Sequence, residues 1–250
     1  MRQEGGAAPG DLALEVRSLG MVFGGLVVFD SLSLDVKKGE RLGIIGPNGA
    51  GKSTLFNLLT ALIRPTSGTI AVNGQPLGRV RPWSIAKARI ARTFQIPKPF
   101  ARMTLTENLM VALTHGGGLS QPTARDRAME TLRGTGFAGR ESEIAGELGI
   151  LDLKRLELAR ALALHPSILL LDEIAGGLTD GECDELLGIL DQNVMPDTTV
   201  IWIEHVLHAL KRYVKEAAVL AEGRIITTGP IADLVENAEV RRLYFGKEAT

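Results

Sequence analysis

The chain has 250 residues, enough for one large domain or two small ones. Its 28 lysines and arginines against 29 aspartates and glutamates leave a net charge of −1, so bulk electrostatics make no case for nucleic acid as a partner. One cysteine, Cys183, excludes an internal disulfide and fits a reducing compartment, and no apolar run approaches the roughly 20 residues of a membrane span. The stretch 1–11 is polar and Gly-rich, lacks the apolar segment of a signal peptide, and is expected to be a flexible tail.

Leu12, Leu14 and Val16 alternate with other residues, as do Leu32, Leu34 and Val36, and both stretches predict half-buried strands. Lys37-Lys38-Gly39-Glu40 turns the chain into Arg41-Leu42-Gly43-Ile44-Ile45, an apolar run of strand length. Next comes Gly46-Pro47-Asn48-Gly49-Ala50-Gly51-Lys52-Ser53-Thr54, which fits G-x-x-x-x-G-K-[ST]. Its glycines let the backbone turn so that successive N–H groups point inward at an anion. The helix that follows adds the positive end of its dipole. Lys52 is placed to reach the β- and γ-phosphates, and the Ser53 hydroxyl to ligate Mg²⁺. Leu55, Leu58, Leu59, Leu62 and Ile63 recur at helical spacing, so the loop lies between strand and helix, as a phosphate loop for ATP or GTP must.

Thr69-Ile70-Ala71-Val72 before Asn73-Gly74 predicts another strand and turn. The middle of the chain changes character. Thr104-x-x-Glu107 is a capping box opening a helix to about Leu113, followed by the loop Gly116-Gly117-Gly118. Residues 124–133 read as helical, and 153–162 more strongly so, with Leu153, Leu156, Ala159 and Leu162 on one face. A helical subdomain is therefore expected over 97–163. Ile168-Leu169-Leu170-Leu171 and Val200-Ile201-Trp202-Ile203 are continuous apolar runs, the pattern of buried parallel strands. Ala217-Ala218-Val219-Leu220, a turn at Glu222-Gly223 and Arg224-Ile225-Ile226 predict a hairpin.

Asp172-Glu173 follows the run 168–171. A carboxylate at the tip of a buried strand can hold Mg²⁺, and a second beside it can polarise an attacking water, although solvated acids also end strands. Gln95, in Thr93-Phe94-Gln95, could be a surface glutamine, and His205, after Ile203-Glu204, a polar strand terminus. His115, His165 and His208 show no metal-ligand spacing and are expected to face solvent.

The order of phosphate loop, Gln95, helical insert, Asp172-Glu173 and His205 resembles the ATPase subunits of ABC transporters over nearly the whole chain. Val22-Phe23-Gly24-Gly25-Leu26, Ala91-Arg92-Thr93-Phe94-Gln95-Ile96-Pro97, Met103-Thr104-Leu105-Thr106-Glu107-Asn108 and Leu243-Tyr244-Phe245-Gly246 narrow the resemblance to importers of branched-chain amino acids and amides. The resemblance implies an α/β fold: a P-loop NTPase core of mainly parallel sheet, an antiparallel β subdomain and a helical subdomain. A single nucleotide-binding domain would span 12–250, with 12–96 and 164–250 as core. It implies ATP as ligand, with Phe23 stacked on adenine and Val28 packed against it. It implies Mg²⁺ held by Ser53, Asp172 and Gln95, with Gln95 also sensing the attacking water. Glu173 would act on that water, and His205 would contact the γ-phosphate. Such proteins work as head-to-tail dimers on the cytoplasmic face of a membrane, beside permease subunits and, indirectly, a solute-binding protein.

One segment departs from the family. Where Leu-Ser-Gly-Gly-Gln or its near equivalent is usual, this chain has Leu148-Gly149-Ile150-Leu151-Asp152. Gly149 has no hydroxyl for a γ-phosphate, and Ile150 and Leu151 bring bulk where backbone must approach. Asp152 stands where an N-cap is expected, so its carboxylate could fill the anion site at the helix start. Ile174 stands where proline is usual, and Thr179 where aspartate is usual. The expected consequence is an asymmetric pair of ATP sites, shared with a related but different ATPase subunit. Other readings are a backbone-donating signature that works normally, a soluble ABC protein, a nucleotide-binding regulator with weak or no turnover, and a small-molecule P-loop kinase.

Overall fold

A computed structural model describes residues 10–78 and 80–245. Residues 1–9 of the expected tail, and Gly246 of the C-terminal motif, lie outside them. In chain order the elements are β1 (Leu12–Phe23), β2 (Leu26–Lys37), β3 (Arg41–Ile45), α1 (Lys52–Leu59), β4 (Ser67–Val72), β5 (Gln75–Pro76) and β6 (Ile90–Arg92). Then come α2 (Leu105–Val111), α3 (Gln121–Gly134), α4 (Ile150–Leu162), β7 (Ile168–Asp172), α5 (Asp180–Asn193) and β8 (Thr199–Ile203). They are followed by α6 (Leu207–Tyr213), β9 (Glu216–Ala221), β10 (Arg224–Pro230), α7 (Ile231–Glu236) and α8 (Ala238–Phe245). By compactness the chain divides into two units.

The first unit takes Met1–Pro82, Asp197–Val200 and Val214–Thr250. An antiparallel sheet runs in the order β2-β1-β4-β5. Phe23 pairs with Leu26 across the two-residue turn Gly24-Gly25, with Gly24 left-handed at φ 59°. Leu14, Val16, Leu32, Leu34 and Val36 are buried as their alternation requires, while Arg17 pairs with Glu15 and Asp35 on the outer face. In the same unit β3 runs parallel to β9, and β9 pairs with β10 through the turn Glu222-Gly223, where both residues have positive φ.

Helix α1 is shorter than its leucine spacing suggests. The Thr60 hydroxyl donates to the Phe56 carbonyl at 2.7 Å, and Ala61 turns left-handed at φ 55°. The amides of Leu62 and Ile63 then bond back to the Asn57 carbonyl at 2.9 and 3.3 Å. Leu62 and Ile63 therefore belong to a wrap-around beyond the helix end, because a left-handed residue breaks the period that the spacing alone would continue.

The second unit takes Trp83–Pro196 and Ile201–Tyr213. Strands β6 and β7 are parallel, with Ile90 opposite Ile168. The helices meet over Leu105, Leu109, Ala128, Leu132, Leu156 and Ala159, all buried in one cluster. The Thr104–Glu107 capping box forms as the sequence predicts. Helix α4 starts at Ile150, three residues earlier than its leucine pattern. Strand β6 has only three residues, too few for a legible period. Helix α5 opens on a second capping box, Thr179 with Glu182, so Thr179 serves the capping role open to an aspartate there.

Candidate functional site

In the first unit, β3 delivers the chain into the phosphate loop. A Cβ added at Gly46 would lie 2.0 Å from the Leu220 carbonyl oxygen, so only glycine fits. Gly49 and Gly51 are left-handed at φ 81° and 101°. Helix α1 begins at Lys52 with no side chain capping it, which leaves its first amides to an anion. The Lys52 ammonium donates to the carbonyls of Gly46 at 2.7 Å and Pro47 at 2.9 Å, closing over Pro47, Asn48 and Gly49. A Cβ on Gly51 would meet the Phe29 ring at 2.6 Å and Val28 Cγ1 at 3.1 Å. Val28 therefore lies against the loop. So does buried Phe29, which sequence reasoning missed because a lone aromatic in a half-buried strand reads as core. Phe23 is 46% exposed at the hairpin tip beside Val22, Leu26 and Val27.

In the second unit, β7 ends at Asp172. Its Oδ2 receives the Arg92 guanidinium at 2.7 Å, with both side chains buried, and Arg92 also lies over the Phe94 ring at 5.0 Å. Glu173 is left-handed, with φ 48°, and its amide bonds the Ile203 carbonyl at 2.8 Å. Its carboxylate stands between the two other predicted side chains: Gln95 Nε2 donates to Oε2 at 2.5 Å, and His205 Nε2 lies 3.1 Å from Oε1. Gln95, Glu173 and His205 thus meet, from three separate stretches of sequence. His115, His165 and His208 are exposed, and His208 pairs with Asp184.

Three buried charged residues escaped the sequence reading. Glu204, 1% exposed, accepts the amides of Ala175, His205 and Val206, and burial pushes its carboxyl upward. Lys154, on α4, donates to the Ile174 carbonyl at 2.9 Å; burial lowers its ammonium while Glu204 and Glu173 oppose that. Glu157 is pushed upward by burial, against Arg160 at 3.1 Å and the amides of Lys98 and Phe94. Arg160 donates to the Lys98 carbonyl at 2.9 Å and covers the Phe100 ring. Helix α4 therefore grips the segment that carries Gln95. The available signal was Glu204 directly after the apolar run of β8, and Glu157 between Leu156 and Leu158 in α4.

Magnesium requires oxygen donors. In the first unit Ser53 offers an exposed hydroxyl. In the second, Arg92 occupies Oδ2 of Asp172 and leaves Oδ1 as an acceptor, while Gln95 spends its amide nitrogen on Glu173 and keeps its oxygen. The donor types fit that cation. Among the described residues, no three His, Cys, Asp or Glu side chains gather into a metal site of their own.

The segment 148–152 corrects one expectation. Gly149, not Asp152, is the N-cap of α4, and no side chain caps it. Asp152 sits in the first turn, where Arg140 holds Oδ2 at 2.9 Å and Arg155 holds Oδ1 at 3.3 Å. Two guanidinium groups draw the carboxylate away from the helix start. Leu148 is buried in the helical core, Leu151 half-buried, and Ile150 54% exposed.

The family described as "ABC transporter" matches residues 29–176, more than half the chain. The chain belongs to the ABC transporter family. Among curated relatives, the "High-affinity branched-chain amino acid transport ATP-binding protein LivG" of Escherichia coli (strain K12) is 36% identical, over 94% of this chain and 98% of the relative. Its counterpart in Salmonella typhimurium has the same identity and coverage. The similarly named BraF of Pseudomonas aeruginosa is 33% identical over the same shares. Among solved structures, the ADP conformation of an ATP-binding cassette of an ABC transporter superposes with TM-score 0.84 at 27% identity, covering 94% of this chain and 99% of that one. A nucleotide-free cassette gives 0.83 at 27% identity, covering 94% and 100%. As an ABC transporter cassette the chain has the expected α/β ABC ATPase fold, and it binds and hydrolyses ATP to power transport. Among the described residues, no helix of this ABC transporter subunit is long and apolar enough to cross a membrane.

Proposed function

We propose that this ATPase energises an importer of branched-chain amino acids or similar small organic solutes, docked on the inner face of the membrane against permease subunits served by a solute-binding protein. The named relatives at 36% and 33% identity support the solute class. One observation carries the chemistry: Glu173 is held between Gln95 and His205. In this reading the amides of 46–54 and Lys52 hold the phosphates, and Phe23 stacks on adenine with Val28 behind it. Glu173 accepts a proton from the attacking water, Gln95 orients that water, and His205 donates to the γ-phosphate. Ser53, Asp172 and Gln95 would each offer an oxygen to magnesium, which would supply charge neutralisation for the phosphates.

The ATP sites are asymmetric in this reading, and the partner is a related but different ATPase subunit. Gly149 brings no hydroxyl to the signature position, and Ile150 sets an exposed side chain beside it. This chain's phosphate loop then works against the partner's signature, while the partner's loop meets 148–152. The test is Glu173→Gln here and the matching change in the partner, one at a time, in the assembled transporter. Unequal losses of ATPase activity are expected; equal losses refute the asymmetry.

A further inference from the structure

Two loops carry Glu173 and His205, and one buried carboxylate ties them together. Glu204 Oε2 accepts the amide of Ala175, two residues beyond Glu173, at 2.9 Å. Its Oε1 accepts the amides of His205 at 2.9 Å and Val206 at 3.3 Å. The carboxylate therefore fixes backbone on both sides of the 3.1 Å contact between Glu173 and His205. From α4, Lys154 Nζ reaches the carbonyls of Ile174 at 2.9 Å and Glu173 at 3.5 Å. Glu173 is left-handed, a conformation that a glutamate keeps only where its surroundings impose it. Two buried charged groups could serve packing alone, but aliphatic residues would fill that space without the cost of burying charge.

We infer that Glu204 is a positioning residue for ATP hydrolysis, holding Glu173 and His205 in register, while Lys154 ties the Glu173 loop to α4, whose first turn carries Ile150 to Asp152 of the altered segment. Glu204 touches no substrate. The inference rests on the reading that Glu173 acts on the attacking water.

The test compares Glu204→Ala, Glu204→Gln, Glu173→Gln and the double variant Glu204→Ala/Glu173→Gln, each in the full chain assembled with its transporter partners. Since an ångström of misplacement can cost on the order of a hundredfold in rate, Glu204→Ala should lower kcat roughly 30-fold and leave the KM for ATP within about twofold. Glutamine keeps the volume but accepts through one oxygen only, so its loss should be smaller, about fivefold. Amide exchange at Ala175, His205 and Val206 should quicken in both variants. In the Glu173→Gln background, Glu204→Ala should add nothing, as residues acting as a unit are not additive. Unchanged kcat in a folded Glu204→Gln protein would overturn the inference. So would kcat and KM deteriorating together with glutamine as harmful as alanine. If alanine prevents folding, the glutamine variant alone decides. Hydrolysis surviving Glu173→Gln would instead remove the reading underneath, while amide exchange would still report whether the brace exists.

Discussion

Glu173 Oε1 lies 3.1 Å from His205 Nε2, a side-chain contact between the end of β7 and the loop after β8. With Glu173 ionised, the imidazole nitrogen is the donor. In the proposed reading Glu173→Gln removes the proton acceptor and keeps the shape, so hydrolysis should fall by about 10²–10⁴-fold. ATP affinity should stay within about twofold, because the proposed reading rests ground-state binding on the phosphate loop. Phosphate release and equilibrium binding measure the two quantities separately. Substantial hydrolysis by the variant would exclude Glu173 as the base.

The buried Arg92–Asp172 pair carries the second prediction. Removing one partner of such a pair leaves an uncompensated charge, costing about 3–5 kcal/mol. Arg92→Ala should lose that much in urea unfolding. Arg92→Met combined with Asp172→Asn should recover more than half of it, because no lone charge remains. A loss below about 1 kcal/mol for Arg92→Ala would mean water reaches Asp172 after all.

The phosphate loop and its flanking strand were legible because one contiguous stretch carries them. Gln95, Asp172, Glu173 and His205 were individually weak signals that became readable through their order along the chain. The meeting of Gln95 and His205 at the Glu173 carboxylate was not legible, since it depends on how separate strands pair. Glu204, Lys154 and Glu157 stayed hidden for the opposite reason: charged residues in a sequence read as solvent-facing, and only packing shows them inside. The left-handed Ala61 and the short α1 show the limit of periodicity, which reports favourable spacing but not where a helix stops. At 148–152 the alteration was visible in sequence, but the capture of Asp152 by Arg140 and Arg155 was not.

Two glycines of the phosphate loop should respond unequally to alanine. At Gly49 an added Cβ meets nothing within 4 Å, but φ is 81°, so the substitution should cost only the left-handed penalty of about 1–2 kcal/mol. At Gly46 the Cβ would press on the Leu220 carbonyl oxygen at 2.0 Å, a backbone atom that cannot swing aside. Gly46→Ala should therefore be the more destabilising and should abolish ATP binding. Equal effects in chemical denaturation would show that β9 moves to make room.

Stability should also depend on pH through Glu157. Burial raises its pKa, outweighing Arg160, the amides of Lys98 and Phe94, and the Lys98 charge, all of which favour the carboxylate. The folded protein thus binds this proton more tightly than the unfolded chain, whose glutamates titrate near about 4.3. The sign follows: the group's contribution is fully present below that value and is lost as pH rises through the higher folded value. Glu157→Gln cannot titrate. Wild type minus variant, the unfolding free energy should therefore fall between about pH 4 and neutrality. Urea titrations of both proteins across that range measure the difference. A difference that grows with pH would mean Arg160 and the two amides outweigh burial, making the ionised Glu157 the form that holds the Gln95 segment against α4.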